Sequence, residues 1–196
     1  MALEDRVEIP QEAVLAPLVR VMQEACDSHR WALVGGAAIR LLGPPAATPN
    51  LEFITTESAA AALAEMLDVP VSWRDGEHLA GQRLHFMRET VPVFVHANPT
   101  FHGTYDSLTP LEIPSLWDAR RTVQVRGTDV FVTPLEWELL VATVLNAKPR
   151  VETLSAHLRA EGSDGRLLTR LMREGHVQPE TEEAVWAALE QDSNGS

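Results

Sequence analysis

Apolar positions alternate between two periods along this chain, and the switches between them mark its elements. Val14, Leu15, Leu18, Val19, Met22 and Ala25 recur at helical spacing, which predicts a helix from Gln11 to His29 opening after Pro10, with Pro17 inside it. Trp31-Ala32-Leu33-Val34 reads as a short buried strand. Gly35-Gly36 follow, then a brief helix over 37–43 and an irregular loop imposed by Pro44, Pro45 and Pro49. Leu51–Thr55 alternates as a second strand, and Glu57–Leu67 is an alanine-rich helix. Val71–Arg74 is a further strand candidate. Residues 83–88 and 91–96 suit the arms of a hairpin turning at Glu89-Thr90, with Pro92 at a strand start or edge.

Residues 98–114 are punctuated by proline and glycine and read as loop. A second hairpin pairs Thr122–Val125 with Val130–Val132 across a turn near Gly127-Thr128-Asp129. After that the pattern is helical, at about 134–147, 150–161, 164–174 and 179–191. Thr133 suits the first cap, Pro134 the first helical position, and Glu136 stands three residues after the cap. The expectation is an α+β fold: a small mixed or mostly antiparallel sheet flanked by helices, spanning 1–133, with a helical C-terminal portion at 134–192 packed on it and a frayed tail at 193–196.

Composition narrows the function classes. A chain of 196 residues with 45% hydrophobic content has material for a real core. No apolar run reaches the ~18–20 residues of a membrane span. The charged start MALEDRVEIPQEA has no apolar signal region, so a cytoplasmic protein is expected. Cys26 is alone, which excludes an internal disulfide. The formal net charge of −12 repels polyphosphate backbones, so non-specific nucleic-acid binding is not expected, although a local arginine cleft is compatible with it. The acidic surface suits a basic protein partner. Oligomeric state is not encoded in any pattern seen here.

The informative window is Trp31 to Thr55. WALVGGAAIRLLG followed by TPNLEFIT resembles the nucleotidyltransferase superfamily, notably its bacterial stand-alone and toxin-related group. Glycines at a strand-to-helix turn let backbone approach a triphosphate, and a helix N-terminus favours its charge. Two carboxylates at i and i+2 on a strand share one face and can hold divalent metals, which activate a hydroxyl and stabilise the leaving pyrophosphate.

The resemblance implies Gly35, Gly36, Arg40 and Thr48 for nucleotide or phosphate binding, and a catalytic pair at Asn50 and Glu52. It implies Mg2+ held by Glu52, Asn50 and His96, because the third carboxylate position falls near Phe94 and no Asp or Glu occurs from Thr90 to Thr104. Arg150-Val151-Glu152 resembles a later family pair, while a helix lysine expected within 134–146 is missing unless Lys148 reaches in. Asp75, Glu77 and Asp106 are candidates to fold back into the cleft. The expected function is a nucleotidyltransferase-like protein, non-catalytic or weakly catalytic, that retains a cleft for a nucleotide or other small ligand. The alternatives are an active metal-dependent enzyme with an altered metal site, and a toxin-system-like interaction partner with a vestigial cleft.

Overall fold

A computed structural model describes residues 11–26 and 30–190. Pro10, the end of the expected first helix at Asp27–His29 and the expected frayed tail lie outside the described residues.

The chain runs α1 (Glu12–Ala25), β1 (Trp31–Val34), α2 (Gly35–Leu41), β2 (Leu51–Thr55), α3 (Glu57–Leu67), β3 (Val71–Asp75), β4 (Leu79–Arg88), β5 (Val91–His102), β6 (Ser107–Leu108), α4 (Pro114–Asp118), β7 (Arg121–Val125), β8 (Thr128–Val132), α5 (Leu135–Val144), α6 (Lys148–Glu161), α7 (Gly165–Glu174) and α8 (Pro179–Glu190). One eight-stranded sheet takes the order β3-β4-β5-β2-β1-β8-β7, with β6 added on β5. The β2–β5 and β1–β8 pairs are parallel and the rest antiparallel, so the sheet is mixed as expected.

Each face of the sheet has its own core. Leu33, Phe53, Val93, Val95 and Leu84 pack against Leu15, Val19 and Met22 of α1 and Leu63 of α3. Side chains alternate across a strand, so Ala32, Val34 and Ile54 point the other way. They join Trp137, Leu140, Leu154, Leu168 and Val185 from the C-terminal helices. The helical portion is therefore one wall of the fold. Among the described residues, no helix is long and apolar enough to cross a membrane.

Four expectations need correction. The segment expected as loop at 98–114 continues β5 to His102 and then forms β6, a 3-10 turn at Pro110–Glu112 and the start of α4. The hairpin arms are longer because β4 begins at Leu79, which pairs with Phe101. A register shift between Ala80 and Gln82 absorbs Pro99, with Asn98 at φ 47 and Gly81 at φ 136. Next, the second hairpin turns one step earlier, at Arg126 (φ 49) and Gly127 (φ 74), the positive pair that a tight two-residue turn requires. Finally, Thr133 does not cap α5, whose cap position is Pro134 without a side-chain bond. Its backbone N–H donates to Leu33 O, extending the strand, and its hydroxyl turns inward to Glu138.

Candidate ligand cleft at the glycine turn

The site is assembled where β1 ends. Val34 pairs with Glu52 on β2, and Gly35 is the next residue. Gly35 adopts φ +68, in the left-handed region that favours glycine, and a Cβ there would stand 3.1 Å from Glu52 Oε2. At Gly36 a Cβ would fall 2.0 Å from the carbonyl oxygen of Ala47. The proline-rich loop can lie on the first turn of α2 only because that position has no side chain. Gln11 Nε2 donates to the Thr48 carbonyl and ties the same loop to the entry of α1.

Glu52 is half-buried, and Asn50 Nδ2 donates to its Oε1 at 3.0 Å. Burial pushes the Glu52 carboxyl above its ordinary range, while the Asn50 bond and the charges of Arg150 and Arg74 pull the other way. A second carboxylate flanks Gly35 from the opposite side. Glu138 of α5 is buried, and its Oε1 accepts from Gly35 N at 3.1 Å and from Thr133 Oγ1 at 2.6 Å. Burial raises its pKa as well, against the bonds from Thr133 and Gly35 and the Arg150 charge, with Glu52 adding to the rise.

Glu138 is the residue that sequence reasoning missed. Its signal was present: one of two acids, with Glu136, inside Leu135–Val144 among neighbours that are otherwise almost all apolar. Glu136, expected near the helix cap, instead accepts from Asp164 N at 3.0 Å and joins α5 to the start of α7.

Across the sheet the rungs continue in register. Glu52 pairs with Phe94 on β5, and Phe94 pairs with His85 on β4. In-register residues share a face, so Phe94 occupies the place where the resemblance calls for a third carboxylate. The His85 and Phe94 rings stack at 4.5 Å. One rung along, Ile54 pairs with His96, and His96 with Arg83. The Arg83 guanidinium lies 5.4 Å from the Phe94 ring centre. His96 is buried, and its pKa falls to about 4, first through burial and then through the charges of Arg83 and Arg74. At neutral pH it is an uncharged imidazole.

The structure therefore brings Gly35, Gly36, Asn50 and Glu52 together, with His96 one rung away. Arg40 sits in the last turn of α2, at the far end of that helix from the glycines. Arg150 acts through its charge on both Glu52 and Glu138. It also lines a cleft of about 460 Å³ with Ala47, Pro45, Ile39 and Leu154. Lys148 lines a different cleft with Tyr105, Asn146 and Glu152. Asp106 does not fold into the site; its carboxylate accepts from Gln178 N and Thr181 Oγ1 and ties down the start of α8.

A divalent cation does not fit the donor set Glu52, Asn50 and His96. The Glu52 oxygen facing Asn50 receives an amide N–H, which means the Asn50 carbonyl is turned away. Arginine charges already act on Glu52 and on His96, and hard divalent ions need several anionic oxygens. Among the described residues, no group of three or more His, Cys, Asp or Glu is placed to hold a metal.

The fold is nucleotidyltransferase-like. A candidate nucleotidyltransferase of Thermotoga maritima, known from its crystal structure, superposes with a TM-score of 0.57 at 17% identity, covering 78% of this chain and 96% of its own. Weaker likenesses run to an antigenic nucleotidyltransferase-like protein from Paracoccidioides brasiliensis (14% identity, 93% and 95% coverage, TM-score 0.47) and to the antibiotic-resistance factor ANT(2'')-Ia (12%, 90% and 91%, 0.47). No protein-family model and no curated protein sequence matches the chain.

Proposed function

We propose that this protein binds a nucleotide, or a related phosphate-bearing ligand, in the cleft beside Gly35-Gly36 without a divalent metal, and that nucleotidyl transfer is absent or feeble. The observation that carries the reading is the rung Val34–Glu52–Phe94–His85, where an aromatic ring stands in register with the carboxylate of β2. Metal-dependent transfer needs clustered carboxylates to hold its cations against a triphosphate. Here the positive charge around the cleft comes from the guanidinium groups of Arg74, Arg83 and Arg150. Guanidinium binds phosphate oxygens directly and in pairs, with no cation between them.

Calorimetry with ATP, GTP, CTP and UTP, with and without Mg2+ or Mn2+, tests this. The expected outcome is binding whose Kd is the same with and without metal and which weakens in Arg150→Ala. Binding that requires metal and disappears in Glu52→Ala would support the altered-metal enzyme instead. Sustained pyrophosphate release with any nucleotide would also overturn the proposal.

A further inference from the structure

Arg83 carries a buried donor with nothing to donate to: its Nε has no hydrogen-bond partner. Buried polar groups are nearly always paired, and an exception points to a missing acceptor. The neighbouring chemistry indicates which kind. The guanidinium is steadied over the Phe94 ring, and its rung partner is the buried imidazole of His96. No carboxylate stands on the rung formed by Ile54, His96, Arg83 and Ser72.

We propose that Arg83 and His96 form a phosphate subsite on the β4–β5 side of the Glu52 face of the sheet, in which the guanidinium edge carrying Nε and an imidazole N–H donate to one phosphate group. The subsite rests on the reading of the cleft as a phosphate-ligand site and names the residues that hold the charge. A planar guanidinium offers two parallel donors matched to the spacing of phosphate oxygens, and desolvation strengthens both bonds. The imidazole is uncharged at neutral pH, so it has an N–H to offer and does not repel Arg83. The charged groups facing His96 are Arg83 from β4 and Arg74 from β3; His85 stands one rung away, stacked on Phe94.

A phosphate bound there would offset the arginine charges that help hold His96 neutral. The test is an NMR titration of His96 in the full chain, with its signals assigned through His96→Gln. It is run with and without pyrophosphate, against KCl at matched ionic strength. Pyrophosphate is expected to raise the His96 pKa by roughly one unit, as a nearby opposite charge does. KCl is expected to leave it unchanged. In Arg83→Gln the pyrophosphate response should vanish and affinity should fall by about tenfold or more, the effect of losing a charge-assisted bond.

An equal rise with KCl means screening alone and overturns the subsite. So does an Arg83→Gln variant that responds like the wild type. If Arg83→Gln does not fold, Arg83→Lys serves: it keeps the charge and loses the fork, so undiminished pyrophosphate affinity refutes the assignment. Nucleotide binding indifferent to Arg83 sinks only this subsite. A pyrophosphate response intact in a protein that binds no nucleotide sinks only the nucleotide reading.

Discussion

His96 offers a direct measure of how dry the sheet face beside the cleft is. Its folded-state pKa of about 4 lies below the ordinary 6.5 because burial, then Arg83 and Arg74, disfavour the imidazolium. A depressed folded pKa means that the unfolded chain binds the extra proton. The stability tied to neutral His96 is therefore fully present above pH 6.5 and is lost as pH falls towards 4. At about 1.4 kcal/mol per unit of pKa, the interval amounts to on the order of 3 kcal/mol. Glu52 and Glu138 act in the opposite sense: their pKa values are raised, so their contribution is greatest below the ordinary carboxylate range and fades as pH rises through their folded values. A bare pH–stability curve mixes the two trends. Urea unfolding of wild type and His96→Gln in phosphate-free buffers from pH 7.5 to 4 separates them, because the carboxylates are common to both proteins. The wild-type advantage at pH 7.5 should shrink by on the order of 3 kcal/mol by pH 4. A difference that stays flat across that range would show His96 to be solvated, and the dry, arginine-facing account of this rung would be wrong.

Glu138→Ala strips the acceptor from the buried Gly35 N–H, while Thr133 Oγ1 still reaches the Leu33 carbonyl at 3.3 Å, and should cost about 1–3 kcal/mol, read by urea unfolding. Glu138→Gln keeps an acceptor oxygen and removes the buried charge, so it should lose far less and flatten the stability decline above the acid range; a loss equal to that of Ala would contradict this. Gly36→Ala should destabilise by about 1–3 kcal/mol, because its Cβ must displace the Ala47 carbonyl; an unchanged thermal midpoint would mean that the loop does not rest there. Asn50→Asp with Phe94→Asp places carboxylates at positions 50 and 52 with a third across the rung from Glu52, and should create Mn2+ binding, detectable by water-proton relaxation, that the wild type lacks. No gain in relaxation would remove the eroded-cluster explanation of this site.

Elements with a strong local pattern were legible in sequence. The bounds of β1, β2 and α3 match their alternation and helical spacing residue for residue, because capping and burial there agree with propensity: Thr56 accepts from Ala59 N, and Leu63 is buried on the α1 side. The glycine turn and the Asn50–Glu52 pair were also visible, since both lie within one window. What escaped depends on partners distant in the chain. β5 continues past Pro99 because it carries a bulge there itself, Asn98 and Pro99 lying opposite the single Gly81 of β4. Glu138 is a site residue only because α5 returns to β1 some 103 residues after Gly35. Phe94 was already placed through the resemblance, and the β2–β5 register adds that it stands directly opposite Glu52.

The bond from Gly35 to Glu138 bears on how such a protein could be divided or recombined. The strand-and-glycine motif lies before Thr133, and the acid that satisfies its first helical N–H lies after it. A gene fragment ending at the apparent α/β boundary would encode the motif without its counterpart, and would also bare Ala32, Val34 and Ile54 to water. Grafting this turn onto another scaffold would carry over its shape only if an acid came with it from the helix that covers that face of the sheet.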